Sequence, residues 1–192
     1  MRNVLAVALA ALAISAAPAL ASTHHKHGKK AVSDQAFMKE AAIGGMEEVE
    51  LGNLAKQKAS SNDVKQFGER MATDHGRADA DLKQVAQRKS VQLPTALDAK
   101  HKATVDRLSK LSGDAFDKAY MKEMLSDHKS DVKLFKREST SAKDSDVKSF
   151  ASKTLPTFED HLKLAQDTAS KVGVATGTSG HASKKSRKSS NG

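Results

Sequence analysis

The 192-residue sequence contains no cysteine and no tryptophan, a single tyrosine (Tyr120) and only three prolines. Without cysteine there is no disulfide framework, no thiolate metal site and no cysteine nucleophile. Aromatic residues make up 4% of the chain, too few for an all-β fold, because strands draw on aromatic and β-branched side chains. The scarcity of proline and the Ala/Lys/Asp/Leu-rich text favour helices, and the length suits one domain with a substantial core. A glycine-rich phosphate loop is missing as well. Gly44-Gly45 lies inside a helical pattern and is expected to permit close helix packing.

What the chain has in excess is positive charge: 32 Lys and Arg against 23 Asp and Glu, a net of +9. Such a surplus invites nucleic-acid binding, but its placement argues against that. Residues 1–21 read as a secretory signal peptide. Arg2 supplies the positive start, Val4 to Ala17 is an uncharged apolar run too short to span a bilayer comfortably, and Ala19-Leu20-Ala21 is a small-x-small cleavage site. The compact three-part signal has a bacterial form. It directs the mature chain to the periplasm or the cell exterior, away from cytoplasmic nucleic acid.

Residues 22–33 form a His/Lys-rich linker carrying +3, and residues 174–192 a basic tail carrying +4 through Lys184, Lys185, Arg187 and Lys188. Neither has apolar periodicity to offset the entropy of ordering, so both are expected to be flexible and disordered. Residues 34–173 hold 24 basic and 23 acidic side chains, a net of +1. The domain is nearly neutral, and anionic envelope polymers or lipid head groups are the expected electrostatic partners of its basic ends.

Within 34–173 the apolar residues recur every three or four positions. The spacing predicts a first long helix over 34–59 (Phe37, Ala41, Ala42, Met46, Val49, Leu51, Leu54) and a second over 63–89 (Val64, Phe67, Met71, Ala78, Leu82, Val85). Ser60-Ser61-Asn62 breaks the first and is expected to cap the second. A short helix over 95–111 follows Leu93-Pro94 and ends at Gly113. A third long helix covers 114–139 and a fourth 144–172, with Pro156 expected to kink or split the last.

The two pairs of long helices read as copies of one hairpin: Asn62-Asp63-Val64-Lys65-Gln66-Phe67 parallels Ser145-Asp146-Val147-Lys148-Ser149-Phe150. Two hairpins joined by a long link containing a helix make an all-α four-helix bundle. The link is long enough to return along the bundle and set the second and third long helices parallel, the ferritin-like arrangement.

An ordered series of short motifs runs through this region: Gly45-Met46-Glu47-Glu48-Val49-Glu50-Leu51-Gly52, Met71-Ala72-Thr73-Asp74-His75, Leu93-Pro94, Phe116-Asp117-Lys118-Ala119-Tyr120-Met121, His128, and Leu155-Pro156 ahead of His161-Leu162. In these the stretch 37–165 resembles the ferritin-like domain of unknown function 4142. The resemblance implies an exported helical bundle and carries no established activity.

Three histidines share an Asp-His context on three predicted helices: His75, His128 and His161. Each falls on the apolar face of its helix, and Glu48 takes the corresponding place on the first. Neutral imidazoles and a carboxylate from four helices suit Cu, Ni, Zn or Fe. A di-iron oxidase is disfavoured, because a Glu-x-x-His pair is absent from every helix. The alternative is structural: buried histidines bonded to carboxylates or backbone need no metal. A second candidate is the mature start Ser22-Thr23-His24, where an amine, two amides and an imidazole wrap Cu(II) or Ni(II) in a plane, with His25 and His27 as further ligands.

No constellation of catalytic residues stands out. The sequence therefore favours a non-catalytic exported bundle with an envelope or stress-related role. The alternative is a periplasmic metal-binding protein using the interior histidines or the N-terminal cluster. The helix faces define no oligomeric state. Mass spectrometry of the exported protein is predicted to find a chain beginning at Ser22; a mass that retains residues 1–21 would contradict the signal-peptide reading.

Overall fold

Ser33 starts the first helix, its hydroxyl accepting from the Ala36 N–H at 3.2 Å. This computed structural model describes residues 33–176. The expected signal peptide, the linker apart from Ser33, and the basic tail beyond Thr176 lie outside the described residues. Five helices follow the apolar spacing: α1 (Asp34–Lys58), α2 (Asn62–Arg88), α3 (Ala99–Ser109), α4 (Gly113–Ser141) and α5 (Ser145–Lys171). No strand occurs among the described residues. None of these helices is long and apolar enough to cross a membrane. Pro156 does not split α5, which continues through it as one element, although its missing N–H leaves one carbonyl without a helical donor.

α1 packs on α2, α3 and α4, while α5 packs on α2 and α4. The ends of the helices fix their directions. Asp34 at the start of α1 accepts from the Lys143 and Asp144 N–H groups beyond the end of α4, at 3.2 and 2.7 Å. Lys171 at the end of α5 pairs with Asp63 at the start of α2 at 2.8 Å. α1 is thus antiparallel to both α2 and α4, and α2 and α4 run parallel. The arrangement is the ferritin-like one, with α3 carried on the crossover. Its Val105 and Leu108 are buried in the core.

The turn between α1 and α2 departs from expectation. Ser61 occupies the cap position of α2, but its side chain makes no capping bond. The carboxylate of buried Asp117 on α4 takes over instead. It accepts from the Ser60 N–H at 3.2 Å, the Ser61 N–H at 2.9 Å and the Ser60 hydroxyl at 2.6 Å. Asp34 serves the α4–α5 turn in the same way. Each hairpin turn is therefore held by a carboxylate near the start of the other hairpin's first helix.

Glycine placement also differs from expectation. Gly44 faces open space, and the close backbone approach of α1 to α2 occurs at Gly52 and Gly68, where a Cβ on either would overlap the opposite helix. At the end of α5, Gly173 adopts φ +75°. The Val174 N–H then reaches back to the Ala169 carbonyl at 2.8 Å and the Gly173 N–H to that of Ser170 at 3.2 Å. This hook draws Val174 into the core, so the packed chain extends past the expected boundary at 173.

The core divides into two apolar clusters. One, toward the α1–α2 turn, holds Leu51, Phe67, Met71, Phe116, Tyr120, Met121 and Met124. The other, toward the α4–α5 turn, is phenylalanine-rich and contains Phe37, Leu82, Phe135, Phe150 and Phe158. Because Asp117 is buried and satisfies three donors of a turn, Asp117→Asn is expected to cost about 2–4 kcal/mol. Urea unfolding should show a lower midpoint at unchanged slope. An unchanged midpoint would contradict the interlocked-turn account.

Candidate metal centre

His75, His128 and His161 lie near the middle of α2, α4 and α5, and relative exposure is 1%, 0% and 0%. Helical periodicity puts them there. His75 stands four residues after buried Met71, and His128 four after buried Met124, so each continues an inward stripe. One ring nitrogen from each of the three lies within 4.8 Å of the others. The ring centroids are 5.4 to 5.7 Å apart. His75 also stacks on Phe158 at 4.7 Å and 22°, and His128 meets Phe67 edge-on at 6.0 Å.

The hydrogen bonds define the state of two of these rings. His128 Nδ1 lies 2.8 Å from the Met124 carbonyl oxygen. A carbonyl only accepts, so Nδ1 carries the proton. His161 Nε2 lies 3.0 Å from Asp74 Oδ2. Burial alone pushes the Asp74 carboxyl up, but hydrogen bonds from His161 and Arg70 outweigh it and hold the group below the usual carboxylate range. Asp74 is thus ionised and accepts, and His161 Nε2 donates.

Burial pushes all three imidazoles down: His75 well below its ordinary value, with repulsion from the other two rings adding to it, and His128 to about 4. His161 follows in the same direction, again through burial. At neutral pH the rings are uncharged. The remaining nitrogens, His128 Nε2 and His161 Nδ1, are bare lone pairs, and neither has a hydrogen-bond partner; His75 Nε2 has none either. The expected structural alternative is met halfway, since a carboxylate and a backbone carbonyl do hold two of the rings. Each ring nevertheless keeps one buried nitrogen with nothing to bind.

Glu48 does not join the three. Its Oε1 lies 3.6 Å from His128 Nδ1, the nitrogen already committed to Met124, and it is absent from the converging group. Burial, followed by repulsion from Asp131 and Asp127, pushes its carboxyl well above the usual range. Both its oxygens and the Tyr120 hydroxyl are buried without partners. Among the described residues the converging group therefore contains no carboxylate, which removes the basis for a carboxylate-bridged metal pair. His24, His25 and His27 lie outside the described residues.

The sequence reading missed two further features. The Asp before each histidine is not that histidine's partner: Asp74 serves His161 across the helix interface rather than neighbouring His75. Asp79 and Asp131 are singled out by no sequence motif. Burial raises Asp79 to about 6, against the pull of Lys83, and raises Asp131 to about 7 with help from Glu40 and Glu47. Asp127 is raised to about 8 by burial and by Glu123 and Glu47.

Fold and site together define an all-α, ferritin-like bundle with a buried cluster of three neutral histidines at its waist. The family described as "Domain of unknown function (DUF4142)" matches residues 17–168, and the chain belongs to that family. A comparison with curated proteins gives no match. Among solved structures, a DUF305 protein from Streptomyces coelicolor is similar with a TM-score of 0.63 at 15% identity, covering 77% of this chain and 98% of its own. A DUF305 fragment from Deinococcus radiodurans is similar with a TM-score of 0.63 at 11% identity, over 72% of this chain and 95% of its own. The Cu(I)-bound form of CopM is similar with a TM-score of 0.60 at 15% identity, over 72% of this chain and 96% of its own. At such identities these likenesses concern the fold.

The buried groups make stability depend on pH in two opposing senses. Asp131 keeps its proton in the folded chain up to about 7, whereas the unfolded chain loses it at 3.8, so its contribution falls as pH rises across that window. His128 acts oppositely: below 6.5 the unfolded chain takes up a proton that the buried ring refuses until about 4, so stability falls as pH drops. Asp131→Asn removes only the first effect. Its Tm advantage over the parent chain should widen by roughly 3 °C or more between about pH 4.5 and about pH 7.5. A gap that stays constant over that range would contradict a half-buried Asp131 that holds its proton up to about pH 7.

Proposed function

We propose that the protein is an exported metal-binding protein that holds one soft monovalent ion, Cu(I) or Ag(I), on His75, His128 and His161. The observation that carries this reading is the set of three buried, partnerless nitrogens on neutral rings. Buried nitrogens of this kind are costly in a core that does nothing with them. A metal ion supplies the partner each one lacks, and no proton need be displaced to bind it at neutral pH. Asp74 on His161 and the Met124 carbonyl on His128 give the orienting bonds that ligating histidines ordinarily have.

The donor set favours a single positive charge. Three neutral imidazoles offer no counter-charge, and the cost of burying an ion grows with the square of its charge, so a divalent ion without a carboxylate is penalised most. Imidazole suits copper, and the polarizable thioethers of Met71 and Met124 stand one turn before two of the ligands. Metal–imidazole bonds of about 2.0 Å put the nitrogens of a three-coordinate ion about 3.5 Å apart. The three histidines start with ligand atoms no more than 4.8 Å apart. CopM, a bundle of similar fold, has Cu(I)- and silver-bound forms, which supports the reading; it also has a Cu(II)-bound form. The N-terminal signal sequence supports an exported site of action.

Untagged protein recovered from the export compartment, loaded anaerobically with Cu(I) or Ag(I) and desalted, should retain about one equivalent by elemental analysis. It should also melt at a higher temperature, as binding to the folded state alone requires. The triple variant His24→Ala, His25→Ala, His27→Ala should retain the same core equivalent, while His75→Ala, His128→Ala and His161→Ala each lose it. Retention below about a tenth of an equivalent by the unaltered chain, or full retention by the core histidine variants, would refute the proposal.

A further inference from the structure

A fully buried site needs a way in, and two spaces along the packing of α1 against α2 lie on the line toward it. A surface cleft of about 710 Å³ opens between α1, α2 and the crossover; Met46, Glu50, Gly76 and Asp79 are among its walls. Behind it is a small cavity of about 10 Å³, bounded by Gly45, Asp79, Asp131, Phe158 and His75. That is roughly the space one water-sized species needs. Asp79 lines both. His75, whose Nε2 is buried and unpartnered, forms the inner wall.

The charge goes from mixed in the outer cleft to acidic in the inner cavity. The outer cleft contains Lys83 and Lys102 beside Glu50 and Asp79. The inner cavity has no basic side chain other than the uncharged imidazole of His75, and its two remaining ionisable groups are the carboxyls of Asp79 and Asp131. Glu40 and Glu47 on α1 add negative potential around Asp131. Gly45 makes the position of Asp79 sterically feasible. A Cβ there would overlap the Asp79 carboxylate, whereas neighbouring Gly44 has nothing within 4 Å. The α1–α2 interface thus gives up apolar packing at this level to seat an acidic side chain beside the histidine cluster.

We infer that Asp79 and Asp131 guide the incoming cation from the surface cleft to His75, and that Gly45 leaves the space in which Asp79 stands. The inference rests on the proposed three-histidine site and adds its route of access. The two carboxylates act on passage rather than on final coordination, so they govern the rate of loading more than the affinity. Near neutral pH Asp79 is ionised and Asp131 about half so, and an acidic inner wall attracts a cation, the kind of field that raises association rates by about ten- to a thousandfold.

Stopped-flow transfer of Cu(I) from a coloured chelator to the full chain tests this. The double variant Asp79→Asn, Asp131→Asn should load at least about tenfold more slowly, with equilibrium affinity changed by less than about threefold. Gly45→Ala should slow loading in the same manner by displacing Asp79. Glu159→Gln, an exposed acid on α5, should load at the rate of the parent chain. Circular dichroism confirms that each variant keeps its helices. Loading of both cavity variants at the parental rate, or loss of affinity at an unchanged rate, would overturn the inference while leaving the metal site standing. Failure of the parent chain to take up Cu(I) at all would remove both.

Discussion

Three imidazole nitrogens with no partner, sealed at the waist of a helical bundle, are the feature on which the rest of the structure turns. An unsatisfied buried polar atom costs about 1–3 kcal/mol, and here three belong to rings that each bring one nitrogen within 4.8 Å of the others. Apolar side chains could fill this layer without that penalty. Instead the chain spends other interactions on orienting the rings: an ionised Asp74 fixes one, a backbone carbonyl fixes another, and Phe158 lies flat against the third. Two apolar clusters flank the layer, one rich in methionine and the other in phenylalanine.

The frame that carries this layer is rigid for reasons that do not involve the histidines. Reciprocal carboxylates lock the two hairpin turns, Asp117 holding the α1–α2 turn and Asp34 the α4–α5 turn. Gly52 and Gly68 bring α1 and α2 into close backbone contact. The crossover leaves α2 and α4 parallel, so that α2, α4 and α5 each present one imidazole at the same height. α1 contributes none. It provides Glu48, beside the back of His128, and Gly45, which makes room for Asp79. The asymmetry separates this interior from a carboxylate-bridged metal pair, whose ligands come from all four helices of a comparable bundle.

Much of this was legible in the residues. The three- and four-residue spacing of Phe37, Leu51, Val64, Phe67, Phe116, Phe135 and Val147 placed the long helices within a few residues, and the length of the link implied the parallel α2 and α4. The three histidines were singled out because each interrupts an apolar stripe. Long-range partnership could not be read. An Asp next to a His in sequence points about 100° away from it around the helix, so Asp74 finds His161 on α5 and not its neighbour. Glu48 occupied the correct helix and height, but whether its carboxyl reaches the imidazole nitrogens depends on side-chain direction. Asp79 was not legible either, because periodicity does not reveal that a glycine on a facing helix has opened a space for a carboxylate.

X-ray absorption at the copper edge of the Cu(I)-loaded protein tests the central claim most directly, because it reports which atoms hold the ion. The account predicts a first shell of three nitrogen scatterers at about 2.0 Å with the outer-shell pattern of imidazole rings, absent from a His75→Ala, His128→Ala, His161→Ala variant. A first shell dominated by sulfur from Met71 or Met124, or by carboxylate oxygen from Glu48, would contradict it.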